Sequence, residues 1–399
     1  MEIDVRRVPK CKLAFSLVIL LTSYSSLAWP QTNAEQAALS LEQQGKTTEA
    51  EEAWKAASIA HPEDPQPFAH LGLLEARQEH YPQAIAFYRK AMALNPSMPG
   101  LRLNLGLALF KDGQYKQSIQ IFTPLLKAAS ADSAETQRLT VLIGMSYYGL
   151  GEYATAISYL KQASDRDAEN LPLLLTLAHS CLLSKHYQCV LDSYHRIVAL
   201  NADSAEADML VGEALDEMND STGATNEFRA AIATNPKEPN VHFGLGYLLW
   251  KQNQYPEAAR EFQAELDNTP GYTQAILYLA DAEIQMNRID DARPLLEKLA
   301  RGNPAIAMAR RDLGIVYAAA GRNDDALREL KAAEALKPAD VNVHWRLGRL
   351  YRSMGKVAEA RSEFEKAQSL NKAADDALLD VMGSSSRKVG TTPPDPIVK

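Results

Sequence analysis

The stretch Val341–Lys372, VNVHWRLGRLYRSMGKVAEARSEFEKAQSLNK, reads as two amphipathic helices joined by a tight turn. Leu347, Gly348 and Tyr351 fall on one face of the first helix, Gly355 marks the turn, and Ala360, Phe364 and Ala367 fall on one face of the second. Outward from this stretch the same pattern returns along nearly the whole chain. Small residues of the second helix stand at Ala50, Ala84 and Ser118, then at Ala156, Val190, Ala224, Ala258, Ala292, Ala326 and Ala360; every step is 34 residues except that from Ser118 to Ala156, which is 38. Twelve residues before each comes a small residue of the first helix, among them Gly72, Gly106, Gly144, Gly246, Gly314 and Gly348. Antiparallel helices approach closely where both side chains are tiny, so this pairing predicts the crossing point of each hairpin.

A large apolar residue follows four after each second-helix position, from Trp54, Tyr88 and Phe122 to Phe262, Leu330 and Phe364, and is expected to anchor one hairpin against the next. Pro62, Pro96, Pro236, Pro270, Pro304 and Pro338 stop the second helix before the next unit begins; four units lack this proline. Each such unit contacts only its neighbours, so the 399 residues are read as a repeat array and not as two or three globular domains. Abundant alanine and leucine, with few alternating β-branched runs, make the chain all-α. A formal net charge of −8 argues against nucleic acid as a partner, because phosphate binding needs a basic face.

The 34-residue period, with this order of small, aromatic and proline positions, resembles the tetratricopeptide repeat, and ten units are read from Gln31 to about Ala374. The resemblance implies a right-handed α-solenoid, a superhelix whose first helices line a concave groove. Unit five is the most degenerate, with Val190 for alanine and Ala202 for proline, and unit three carries a four-residue insertion around Ser130 to Ala134. After the last unit, the apolar positions Ala377, Leu378, Val381 and Met382, ending at Gly383, predict a capping helix over residues 375–382. Residues 383–399, rich in Ser, Thr and Pro, are read as disordered.

The N-terminus has the layout of a secretory signal peptide over residues 1–28. Arg6, Arg7, Lys10 and Lys12 precede the apolar run Leu13 to Leu21, and Ser26-Leu27-Ala28 forms a small-x-small ending. The apolar core falls far short of the roughly 20 residues a membrane-spanning helix needs. Export to the periplasm or beyond the cell is therefore expected, with an uncleaved inner-membrane anchor as the alternative and the only route to membrane attachment.

No phosphate-binding glycine loop, nucleophile elbow or His-Glu-x-x-His helix is present, so no enzyme, cofactor or metal is expected. Unit five concentrates His179, Cys181, His186, Cys189 and His195. Cys181 and Cys189 fall on opposite helices of one hairpin near its turn, where a disulfide is geometrically open; the plainer reading is two buried thiols, with no thiol gained on reduction. His186 and Cys189 can share a helical face, but Cys189 and His195 cannot, which weakens a metal reading.

The groove is the stronger candidate. By the resemblance, positions two, five, nine and twelve of each first helix commonly face it, and their chemistry changes along the array. Leu73, Leu107 and Met145 are apolar, while Glu206, Glu213 and Asp216 are acidic. Phe243, Tyr247, Trp250, Leu277 and Asp281 follow, then Arg311, Trp345, Arg349 and Arg352. Aromatic and arginine residues combine large buried area with directed hydrogen bonds, as binding hot spots do; the competing reading is that half of them pack between neighbouring first helices. Chaperone-binding members of the family clamp a terminal carboxylate with Lys and Asn in three consecutive units, a combination absent here. Arg311, Arg346 and Arg349 remain suited to an acidic peptide or an anionic glycan. The expected function is a non-enzymatic scaffold holding a peptide or protein surface in the groove. The alternative is carbohydrate binding or exopolysaccharide export through Tyr247, Trp250 and Trp345.

Overall fold

The computed structural model describes residues 33–200 and 203–387, with side chains described as far as Lys372. The expected signal segment, residues 1–28, and the end of the tail, residues 388–399, lie outside the described residues. Every regular element among the described residues is helical, and the helices form two compact units that meet in sequence at Asn219 and Asp220. The first unit holds α1 (Asn33–Gln43), α2 (Thr47–Ala60), α3 (Pro65–Arg77), α4 (Tyr81–Leu94), α5 (Leu101–Lys111), α6 (Tyr115–Ala128), α7 (Ala134–Leu150), α8 (Tyr153–Arg166), α9 (Leu171–Leu183), α10 (Tyr187–Ala199) and α11 (Ala205–Glu217). The second holds α12 (Ser221–Thr234), α13 (Val241–Lys251), α14 (Tyr255–Asn268), α15 (Thr273–Gln285), α16 (Ile289–Gly302), α17 (Ala307–Ala319), α18 (Asn323–Leu336), α19 (Val341–Ser353) and α20 (Val357–Arg387). Within each unit, antiparallel hairpins such as α3/α4 and α17/α18 stack on the next through α4 on α5 or α18 on α19, which is solenoid architecture.

The turns repeat as regularly as the helices. Within each unit the helices of a pair are joined through one residue in the left-handed region: Gly45, Glu79, Gly113, Gly151 and Lys185 in the first and Asn253, Asn287, Gly321 and Gly355 in the second, with φ between 59° and 78°. The following amide then reaches back five residues, from His80 to Glu75 and from Lys356 to Tyr351 at 2.9 Å, closing the first helix. Glycine or asparagine suits such a position, and Glu79 and Lys185 hold it against a steric cost.

The structure adds a second contact to the packing expected of the large residues. A methyl group added at Gly72 would lie 2.7 Å from the Tyr88 ring, at Gly106 2.5 Å from Phe122, at Gly314 2.6 Å from Leu330 and at Gly348 2.6 Å from Phe364. The anchor thus fills the space over the glycine of its own hairpin, because the glycine lacks the atoms that would block it. The same residue also meets the next hairpin: Tyr88 shares a buried cluster with Leu101 and Leu105 of α5. Ser118, which replaces the usual alanine, is tolerated because its hydroxyl bonds the Tyr115 carbonyl and the buried Ser146 hydroxyl.

Two sequence features resolve into longer helices. The insertion adds a turn to α7, which is 17 residues long against 13 in α3 and 11 in α5, and the Ser133 hydroxyl caps it by accepting from the Thr136 amide at 3.1 Å. Residues 375–382 do not start a new helix after a turn. They continue α20, which runs 31 residues against 14 in α18 and carries residues 383–387, read as disordered from the sequence, in its last turn. No proline interrupts the run from Val357 to Arg387, and its alanine, leucine, lysine and glutamate favour helix as far as Leu379.

Ala326 lies fully buried at the crossing of α17 and α18, where its carbonyl oxygen already approaches Gly314. Ala326→Leu is expected to overpack this crossing and destabilise the protein by about 1–3 kcal/mol, read as a lower urea midpoint.

Candidate binding face on the first helices of the second unit

α13, α15, α17 and α19 touch one another in succession, so equivalent positions form rows across them. Three residues before each small residue stand Phe243, Leu277, Arg311 and Trp345; two before, Gly244, Tyr278, Asp312 and Arg346; one after, Tyr247, Asp281, Ile315 and Arg349. Along these rows the chemistry passes from aromatic through acidic to basic.

At the aromatic end, Phe243 and Tyr247 stack with centroids 6.3 Å apart, and Tyr247 and Trp250 with centroids 6.1 Å apart. Tyr278 stands edge-on to Tyr247 at 5.4 Å and to Trp250 at 5.1 Å. These are favourable geometries for rings with negative faces and positive edges. Phe243 is 7% exposed and supports the ledge from below, whereas Tyr247 and Trp250 are half-buried. The Trp250 indole N–H donates to Asp281 Oδ2 at 2.7 Å, tying α13 to α15. Burial, with help from Tyr247 and Asp281, pushes the Tyr278 hydroxyl up to about 12, so it stays a neutral donor.

In the middle, Arg311 Nε donates to Asp312 Oδ1 at 2.8 Å and its guanidinium lies 3.9 Å from Asp340. Burial opposes the Arg311 charge, but Asp312, Asp340 and Asp281 outweigh it. Asp312 is 1% exposed, and its Oδ2 is buried without a hydrogen-bond partner. That desolvation pushes the Asp312 carboxyl up to about 6 against the pull of Arg311. At the basic end, burial and the like charges of Arg349 and Arg311 push the Arg346 guanidinium down, while Arg349 is exposed. Trp345 leans on Phe364 at 4.9 Å and is still 47% exposed.

The structure therefore brings Phe243, Tyr247, Trp250 and Asp281 into one contact group and places Arg346 and Arg349 on α19, with Arg311 engaged by Asp312. Tyr278 and Asp312 were not singled out from the sequence, although their place two residues before Ala280 and Gly314 was readable from the register. A further group is Glu334, His344 and Glu363, whose ligand atoms lie within 4.8 Å of one another. It is a poor fit to a cation. His344 Nδ1 and Nε2 already face Glu363 at 2.7 Å and the Pro338 carbonyl at 2.8 Å, and Lys331 and Lys366 lie 3.3 and 3.0 Å from Glu363.

In the first unit, Cys181 of α9 and Cys189 of α10 approach to a Cα separation of 5.7 Å, and the sulfurs are bonded to each other. The structure thus favours the bridge over the plainer reading of two thiols. The surrounding histidines do not converge on them: His179 bonds Glu206 at 2.8 Å and His186 bonds the Ser184 hydroxyl at 3.0 Å.

Two measurements check these sites. Because the folded Asp312 carboxyl titrates above its ordinary 3.8, its contribution to stability is present below that value and lost as pH rises through about 6. Melting followed from pH 5 to 7 should show this loss in the wild type and a smaller one in Asp312→Asn. Thiol titration in denaturant should find Cys181 and Cys189 unreactive until reductant is added, when two thiols appear.

The comparisons with known proteins fall on both halves of the chain. Residues 35–167 match the middle tetratricopeptide-like domain of cilia and flagella-associated protein 70, and residues 212–273, 277–341 and 311–377 match the tetratricopeptide repeat itself. The bovine (Bos taurus) BBSome complex member BBS4 is 23% identical over 55% of this chain and 41% of its own length. The cell division cycle protein 27 homolog of Caenorhabditis elegans is 25% identical over 51% of this chain and 26% of its own. The chain thus spans less than half the length of either relative. A solved structure of MamA from Desulfovibrio magneticus RS-1 is 20% identical, covering 44% of this chain and 98% of that one, with a TM-score of 0.40. Residues 212–273 and 277–377 thus match the model of the tetratricopeptide repeat.

Proposed function

We propose that the protein is a non-enzymatic scaffold, exported to the periplasm or beyond the cell, that holds an extended peptide or protein surface on the first-helix face of its second unit. The observation that carries this reading is the graded row of side chains from α13 to α19. An aromatic ledge tied by the bond from Trp250 to Asp281 passes into a half-buried and exposed arginine group, Arg346 and Arg349. Aromatic and arginine residues together supply most of the energy in protein interfaces, and a preformed helical face orders little on binding. Tetratricopeptide-repeat proteins act as protein-interaction scaffolds, and one relative is by name a member of a complex. The export part of the reading rests on the basic and apolar pattern of residues 1–28.

The test is a pull-down from envelope extract with the wild type beside Trp250→Ala/Arg349→Ala, after checking that both melt alike. A partner held by the wild type and lost by the variant is the expected result. Partners held equally by both would remove the binding site from this face, and glycan-array binding in place of a protein partner would favour the carbohydrate reading.

A further inference from the structure

Between Arg310 and Arg361 the chain carries eight arginines, and the structure separates them into two groups. Arg310, Arg311, Arg322, Arg328 and Arg361 each meet a carboxylate, of Glu329, Asp312, Asp325, Asp325 and Glu365 respectively. Arg346, Arg349 and Arg352, all on α19, meet none among the described residues. Arg352 instead lies over the Phe364 ring at 5.9 Å, and Arg346 is held half-buried beside the like charges of Arg349 and Arg311. The carboxylate nearest in kind, Asp312, is committed to Arg311. Three guanidiniums without an ion pair among the described residues, of which Arg346 is offset only in part by the more distant charges of Asp312 and Asp281, form a basic patch beside a Trp345 that is 47% exposed, on a chain of net charge −8.

Resting on the scaffold reading above, we propose that the Trp345–Arg346–Arg349–Arg352 face of α19 binds an extended acidic peptide segment through the carboxylates of its Asp or Glu side chains. Arg346 to Arg352 spans about 9 Å of helix. Side chains on one face of an extended chain recur at about 7 Å, so an acidic-x-acidic segment meets two or more of these guanidiniums at once. A single chain-terminal carboxylate fills the bidentate capacity of one guanidinium and leaves the others unpaired. That difference favours side-chain carboxylates over a terminus. Trp345 then covers an apolar side chain between or beside the acids, since it offers a ring where the arginines offer charge.

The probe is an acetylated and amidated peptide with three glutamates at alternate positions and one isoleucine, titrated into the full chain at low salt and followed by calorimetry. Saturable binding is expected, weakening steeply as salt is raised. The glutamine version of the peptide should bind at least about tenfold more weakly, as should Arg346→Gln, Arg349→Gln or Arg352→Gln with the acidic peptide. Arg361→Gln, which removes a paired and exposed arginine of α20, should leave binding unchanged. Arg349→Glu should lose the acidic peptide and gain a version with lysine in place of glutamate, which a folding defect would not produce. Equal binding of the glutamine peptide, preference for a neutral peptide with a free C-terminal carboxylate, preference for a sulfated oligosaccharide, or no saturation up to about 1 mM would each overturn the assignment. Failure here together with a partner retained in the pull-down and lost on Trp250→Ala would sink the acidic site and leave the scaffold reading standing.

Discussion

The fold depends on one contact, a glycine of the first helix receiving a ring or leucine of the second. Gly72 with Tyr88, Gly106 with Phe122, Gly246 with Phe262 and Gly348 with Phe364 place the two helices so close that one added methyl group has no room. That closeness lets first helices as short as 11 residues, α5 and α13, enclose a buried seam, and it leaves both outer edges of the hairpin apolar. A neighbour must cover each edge, so hairpins come in stacks and equivalent positions line up in rows. Row chemistry is therefore a consequence of packing: whatever residue stands two before the glycine will lie beside its counterparts in the adjoining hairpins.

The period, the helix pairs and the buried small residues were legible in the sequence because each follows from local pattern. The partner of each large residue was not, since a residue four after the second-helix alanine can reach its own first helix or the next hairpin, and spacing alone does not choose. Glycines such as Gly72 and Gly348 take the large residue of their own hairpin, whereas Gly244 takes Phe228 from the hairpin before it. The length of α20 was misread for a related reason: Gly383 looks like a helix end in isolation, yet the helix passes through it to Arg387. Glycine costs a helix about 1 kcal/mol and does not forbid it.

The candidate site was legible as residue types and not as contacts. Trp250 and Asp281 both stood out, but their bond depends on the register between α13 and α15. Tyr278 escaped notice because a tyrosine two residues before an alanine reads as packing; it does pack, and in doing so it fixes the edges against which Tyr247 and Trp250 stand. Asp312 escaped for the opposite reason. A charged residue is expected at the surface, and only the structure shows it held inside by Arg311.

The basic side chains of the second unit divide by position. His242 with Glu261, Arg310 with Glu329 and His344 with Glu363 bridge the two helices of a hairpin at one recurring place, four residues before the glycine. These pairs occupy their polar groups within the hairpin and leave nothing for a ligand. Arg346 and Arg349 stand two before and one after the same glycine, on rows that face away from that bridge, where no carboxylate of the hairpin reaches them. Burying one guanidinium beside another costs stability, which the charges of Asp312 and Asp281 on neighbouring first helices offset only in part. Local rules are met everywhere else on α19: Asp340 caps its start, His344 is paired, and Leu347 and Leu350 are buried. A helix consistent at every position except its arginine face has its conflict where a partner would resolve it, and an incoming carboxylate supplies the close counter-charge that the fold does not.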